Sequence, residues 1–456
     1  MKKDLSPVSI NINNKINKYL KKIQFKKNTK ITGFLSSIGT IFSQIPDVEL
    51  DNIPLCFKKN EPILHNNGTI FWVLQKITKY YPQLLDAEVK KYVTNNNCLT
   101  DEKCIQWLDS HGSEKMRKIY YLLDSRKIPS EISNVIHNKL SSKIFSSMYN
   151  MFVSIHIQKI IEKDLTDICI YHFSYENIKI KLIFVKDACS PNYKYAKHII
   201  EYILTLLQFL HITDVDIEIK LFLTNENKKI NSEYKCLGVD EVNTGSTYRG
   251  DTKSIVIWRK EECKKVILHE LCHSLMLDSD IPDEYVNQIK EFFCVPKNTE
   301  IRPYEAYVET WANIFLISIV SQELKKSSIL EEEITYSIYQ AAKILVHFGF
   351  KEWGDFYKNP TKDSRDYCQK SSILSYFIIK AAILFNIDEF ISFCEKNNGE
   401  NIVNYNKNSG IIHQDFVNLI ELCCDDVEFQ TQMNNMMKNK DFDNSLRMTC
   451  NETIIL

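Results

Sequence analysis

Val266-Ile267-Leu268-His269-Glu270-Leu271-Cys272-His273 is the stretch whose interpretation decides the fold. His269 and His273 are four residues apart, so on a helix they share one face, one turn above the other. Two imidazoles placed in this way can hold a single zinc ion. Glu270, beside the first of them, can reach a water on that ion, take its proton and later pass it to a leaving amine. Zinc lowers the pKa of such a water to roughly 7, which makes the chemistry available at neutral pH. The neighbours Val266, Ile267, Leu268 and Leu271 are apolar enough to bury the helix. Cys272 falls off the histidine face and fits a small core position better than a ligand role.

Working outward, residues 254–258 form a short strand before a helix over 261–277. Glu261 and Glu262 stand in that helix's first turn, where its dipole favours them. A loop with Gly238, Gly245 and Gly250 precedes the strand. Residues 215–223 alternate with Ile217, Ile219, Leu221 and Leu223 on one face, and 177–186 alternate with Ile178, Ile180, Leu182 and Phe184. Between them, 192–211 carries a helical period, and 167–173 is β-branched and aromatic. This order predicts an α+β core: a twisted mixed sheet plus one active-site helix. Helical patterns follow at 304–322, 331–347, 371–385 and 415–424 and precede at 69–93 and 132–161, with Asn95–Asn97 as a turn. The expected organisation is a helical region over 1–164, a core over 165–325 and a helical region over 326–456. Glu331–Glu333 is expected as a solvated helix start, His347 as a core or helix-end residue, and the last 20 or so residues as a frayed polar tail.

The 456 residues are 44% hydrophobic and 25% charged, with a formal net charge of -1, so no global field draws the chain to nucleic acid or to an anionic membrane. Only 15–30 is locally basic, as expected of a solvated helix or arm. The longest uncharged stretches, 31–46 and 312–322, are too short to cross a membrane, and neither is placed as a signal peptide would be. A cytoplasmic, unsecreted protein is expected. Its 14 cysteines are scattered, with no CxxC pair, and fit reduced thiols; Cys423 and Cys424 fit packing.

Catalytic zinc needs a third protein ligand. The extended motif HExxHxxGxxH would place glycine at 276 and histidine at 279, where this chain has Met276 and Ser279. Asp278 and Asp280 stand at the helix end, where a C-terminal turn is expected to carry them away from the histidines. The better source is the next long helix, on which Glu305, Glu309 and Asn313 share one face. Carboxylates on so apolar a helix need a partner, and a metal with its histidines supplies one. One carboxylate would bind zinc while the other accepts a histidine N–H and fixes its tautomer. Glu305 is preferred as the ligand, because Glu309 is then a stronger acceptor than Asn313 would be in the reverse arrangement. Glu309 stays open as the alternative ligand. One Zn2+ per chain is expected.

HExxH followed by a glutamate on a later helix resembles the gluzincin type of zinc metallopeptidase. Glu305-Ala306-Tyr307-Val308-Glu309 is similar to the ExxAE helix of lethal-factor-type toxins, with Val308 in place of the alanine; read from Glu309, the segment also resembles the ExxA(D/N) pattern. The stretch from Val242 to His273 resembles predicted metallopeptidases of large DNA viruses, and the Asn-, Ile- and Lys-rich composition agrees. The likeness covers roughly 240–315. It implies a zincin-like core, a protein or peptide substrate, and a place in host cytoplasm or virion. It also implies that strand 254–258 is a sheet edge pairing with extended substrate. Two rivals stay open: a zinc amide hydrolase with a single partner substrate, and an inactive scaffold acting as a structural or virion interaction protein. Tyr248, Tyr285, Tyr304 and Tyr307 are all candidates to steady the oxyanion, with nothing in the sequence to choose among them. Nucleic acid and membrane are not expected partners, and the oligomeric state is open.

Overall fold

A computed structural model describes residues 3–53, 152–164, 167–186, 193–231, 236–358, 367–405 and 411–455, together with positions 87, 91 and 94. Apart from positions 87 and 91, the helix expected at 69–93 lies outside these residues, as do the turn expected at Asn95–Asn97 and most of the helix expected at 132–161; the end of the last is described as helix Ile155–Asp164. The strands are β1 Lys3–Leu5, β2 Asp51–Ile53, β3 Asp167–Tyr175, β4 Asn177–Lys186, β5 Asp214–Thr224, β6 Gly245–Ser246, β7 Ile255–Arg259 and β8 Thr453–Ile455. Six of them form a mixed sheet in the order β2-β3-β4-β5-β7-β6. β3 and β4 are an antiparallel hairpin that turns at Glu176, in the left-handed region at φ 50°. β4 and β5 run parallel, joined by the crossover helix Tyr193–Phe209, and β5 and β7 are parallel as well. The alternation read in the sequence is the sheet's buried face: Ile180, Leu182 and Phe184 on β4, and Ile217, Ile219 and Leu221 on β5. The α+β class and the mixed sheet are therefore as expected.

β7 leads into the active-site helix, Cys263–Ser274, which packs against β7, the crossover helix and the long helix Tyr304–Leu324. Every residue of the active-site helix is buried. A helix enclosed on all sides must satisfy each polar side chain within the protein, and it carries Lys264 and Lys265 as well as its histidines and glutamate. Lys264 Nζ donates to the Thr453 carbonyl at 2.6 Å, and Lys265 Nζ pairs with Glu309.

Three expectations are corrected here. The C-terminal residues are not frayed: β8 pairs with β1, and Leu446, Cys450 and Asn451 are fully buried. Nor is Glu331–Glu333 a solvated start. Glu333 is buried and accepts from the Thr449 hydroxyl at 2.5 Å and from the backbone N–H groups of Cys450 and Asn451 at 3.1 and 2.9 Å. Glu262, in the left-handed region at φ 60° just before the active-site helix, accepts from Met448 N at 2.7 Å and Thr449 N at 2.6 Å and pairs with Lys228. Thr449 and Asn451 of the tail are polar yet buried because Glu333 accepts from their side chains as well as from the backbone, and hydropathy alone does not separate that from solvation. Lastly, Cys236 and Cys368 form a disulfide, so not every thiol is reduced; Cys263, Cys272, Cys394, Cys450 and the adjacent pair Cys423 and Cys424 are free and buried.

Lysines of the basic N-terminal segment are taken up in ion pairs, Lys15 with Asp443, Lys26 with Asp426 and Lys30 with Glu395. Among the described residues no helix is long and apolar enough to cross a membrane. Replacing Glu333 with alanine strands several buried N–H groups and is expected to cost about 3 kcal/mol or more in denaturant unfolding. A loss below about 1 kcal/mol would show that the tail is not held there.

Candidate metal centre

The i, i+4 spacing does what helical geometry requires. His269 and His273 stack one turn apart with their Nε2 atoms 3.1 Å from each other. Glu305, on the first turn of the Tyr304–Leu324 helix, brings Oε2 to 3.3 Å from each of those nitrogens. Donors arranged tetrahedrally at roughly 2.0–2.2 Å from a zinc ion lie about 3.3–3.5 Å apart, so the triangle has the size such an ion needs. Glu305 Oε2 is buried and has no hydrogen-bond partner. A buried acceptor left unpaired between two imidazoles is the expected state of a metal ligand and a costly state for anything else. Although burial would raise it, the neighbouring imidazoles hold the Glu305 carboxyl well below the usual range. His269, His273 and Glu305 are the residues that would hold the metal.

The remaining carboxylates support the rings. Glu309 Oε1 lies 3.2 Å from His269 Nδ1, the supporting place expected for it when Glu305 is the ligand. Asp278 accepts from His273 Nδ1 at 2.9 Å. This second contact overturns the expectation that Asp278 is carried away. The helix ends with Met276 in the left-handed region at φ 58°, and Leu277 N bonds back to Cys272 O at 2.9 Å. That turn reverses the chain beneath His273. A left-handed methionine is uncommon, and nothing in the local sequence announces it.

Glu270 faces the same cleft, a cavity of about 510 Å³. Burial pushes its carboxyl up to about 7, against the pull of His269 and His273. The wall opposite Glu270 is Gly245 of β6. A Cβ there would meet Glu270 Oε1 at 2.8 Å, Val266 Cγ1 at 2.7 Å and Ile257 Cδ1 at 2.8 Å. Glycine is thus required for close approach. The expected edge strand is also corrected. Strand β7 is covered by β6, which pairs with it antiparallel through Gly245↔Ile257 and Ser246↔Val256, and β6 forms the edge that lines the cleft. Two-residue strands leave no alternation to read.

Of the four tyrosines considered, Tyr304 lines the cleft with its ring 6.1 Å from that of His273, and Tyr248 lines its rim. Tyr307 is buried and donates to the Val403 carbonyl, and Tyr285 packs on His413. Tyr376 carries no signal in the sequence. It lines the cleft from the π-helical turn Leu374–Ile379, its ring 6.0 Å from that of His269. Turns of that kind are frequent at functional sites, but a sequence seldom reveals them. The disulfide ties the chain that leads to β6 to the chain that leads to Tyr376, and beside it Leu237 forms an isolated bridge to residues 368–370 through hydrogen bonds at 3.1 and 2.8 Å.

No protein-family model matches the chain, and no solved structure does. An uncharacterised protein of Acanthamoeba polyphaga mimivirus is 26% identical over 212 residues, which are 43% of this chain and 51% of that protein, so the match spans about half of the relative's length. The likeness agrees with a link to large DNA viruses.

Gly245→Ala is expected to cost about 1–3 kcal/mol by overpacking and to displace Glu270 without removing a metal donor; thermal unfolding with zinc titration checks both, and an unperturbed protein would contradict the contact. Together, the His269-Glu270-x-x-His273 helix and Glu305 form a zinc-binding site of the kind carried by HExxH metallopeptidases of the gluzincin type.

Proposed function

We propose that this chain is a zinc-dependent endopeptidase in which His269, His273 and Glu305 hold the metal and Glu270 moves the proton. The observation that carries the reading is the triangle of two imidazole nitrogens and one unpaired carboxylate oxygen, 3.1–3.3 Å on a side, beside a buried glutamate. Zinc in that triangle would polarise the scissile carbonyl and lower the pKa of water to roughly 7. Glu270 accepts a proton from the attacking water, becoming a neutral carboxylic acid, and then donates it to the departing amine. Its burial suits both roles, since a carboxyl poised near neutrality can take and return a proton. Asp278 fixes the tautomer of His273 by accepting from Nδ1, and Glu309, with Oε1 3.2 Å from His269 Nδ1, stands where its charge favours a proton on that nitrogen. Tyr376 and Tyr304, whose rings line the cleft beside His269 and His273, are the hydroxyl donors assigned to the charge developing on the carbonyl oxygen. The main chain of Gly245 and Ser246 is the edge on which an extended peptide would lie.

The catalytic unit is assigned to residues 165–325, which hold the metal ligands and Glu270, with 1–164 and 326–456 flanking it. The second of these regions supplies Tyr376. A place in host cytoplasm or virion belongs to this reading and is supported by the likeness to a mimivirus protein.

The test is a peptide panel with the zinc-loaded chain and two variants. Glu270→Gln is expected to keep one zinc per chain and lose about 10²- to 10⁴-fold in turnover, while Glu305→Ala loses the metal. Wild-type protein that carries zinc yet cleaves no peptide would favour a single-partner amide hydrolase. Equal turnover in Glu270→Gln would refute the proton role. Separately, Tyr376→Phe is expected to lower kcat with little change in KM, by about 10²-fold if its hydroxyl meets the oxyanion; unchanged kcat would remove it from that role.

A further inference from the structure

The two ligand histidines are each backed by a carboxylate, and each of those carboxylates is in turn gripped by a cation. On one side, Glu309 turns Oε2 to Lys265 Nζ and Oε1 to His269 Nδ1, the latter at 3.2 Å. Lys265 stands one turn before His269 on the same buried helix, and its Nζ also lies 3.6 Å from Met448 Sδ. On the other side, Arg249 grips Asp278 with two parallel bonds, Nε to Oδ1 at 3.2 Å and Nη2 to Oδ2 at 2.7 Å, and that same Oδ2 accepts from His273 Nδ1 at 2.9 Å. Arg249 follows the edge strand β6. Its guanidinium carbon lies 5.0 Å over the ring of Tyr304, and its Nη1 is 2.7 Å from Asp280.

We propose that Lys265 and Arg249 are positioning residues, each locking the rotation of one carboxylate so that one oxygen of that carboxylate orients a zinc-binding histidine. The inference rests on the zinc reading of the site and extends it outward by one layer. The physical reason is that a carboxylate on a flexible stem offers two equivalent oxygens and rotates freely. At Glu309, a cation fixed on Oε2 leaves Oε1 in one place. A bidentate guanidinium fixes the plane of the group as well. The need is greatest at Asp278, which sits after the active-site helix has ended, in chain without regular structure. There the Arg249 fork substitutes for the rigidity that a helix gives Glu309. Arg249 also joins the edge strand to a metal ligand, because the next residue's N–H, that of Gly250, bonds to the His273 carbonyl at 3.2 Å.

The experiment measures zinc affinity by chelator competition in the full chain, for wild type, Lys265→Met, Arg249→Met, Arg249→Lys and Glu305→Ala, with thermal unfolding of each without zinc. Lys265→Met and Arg249→Met are each expected to weaken zinc binding by about 10-fold, the lower end of the range found when the direct partners of metal ligands are removed. Arg249→Lys keeps the charge but not the fork and is expected to stay weakened. A purely structural role would lower zinc-free stability and leave zinc affinity untouched, and that result overturns the proposal. Full recovery in Arg249→Lys overturns it too, since charge alone would then suffice. Lys265 is fully enclosed, so its variant can fail to fold; Arg249, on the cleft rim, keeps the inference testable by itself. If wild type binds no zinc, the functional reading falls. If Glu305→Ala loses zinc while the two cation variants bind it like wild type, only this inference falls.

Discussion

Every residue of the active-site helix is buried, yet it carries two histidines, a glutamate and two lysines. Burial of that many polar groups is tolerable only when each finds a partner, because an unpaired buried charge costs several kcal/mol. The surrounding structure can be understood as the set of partners this one helix demands. Lys264 draws in the C-terminal strand, and Lys265 draws in Glu309. His273 requires the chain reversal that returns Asp278. The Nε2 atoms of the two histidines are left facing Glu305 Oε2, which has no hydrogen-bond donor of its own. A divalent cation resolves that last imbalance, which makes the metal site a consequence of the same constraint that organises the fold.

This enclosure also explains why distant segments converge on one place. Glu262 and Glu333 bind the backbone of 448–451, so the end of the chain is a buttress of the active-site helix. β1 and the helix Thr29–Gln44 come from the chain's start; the first pairs with β8, and the second packs on the helix that carries Glu305. The cleft is walled by β6 on one side and by the turn carrying Tyr376 on the other, with the Cys236–Cys368 bond between them. The geometry of the site is therefore set by elements from both ends of the sequence.

Much of this was legible beforehand where a period of 2 or 3.6 carries the information. The alternations of β4 and β5, the HExxH spacing, and the shared face of Glu305 and Glu309 all placed residues where the structure has them. What escaped has no period. Asp278 depends on a left-handed Met276, β6 is two residues long, and Tyr376 sits in a π-helical turn. The polar tail was misjudged because Glu262 and Glu333 lie far from it in sequence. Pairing across such separations is a property of the tertiary structure, and composition cannot report it.

The central claim is that zinc sits on two imidazole nitrogens and one carboxylate oxygen. X-ray absorption at the zinc edge of the loaded protein tests it most directly. The account predicts only nitrogen and oxygen neighbours, at about 2.0–2.2 Å, with imidazole scattering from two rings. Sulfur at about 2.3 Å, or a spectrum lacking imidazole, would place the metal elsewhere and contradict it.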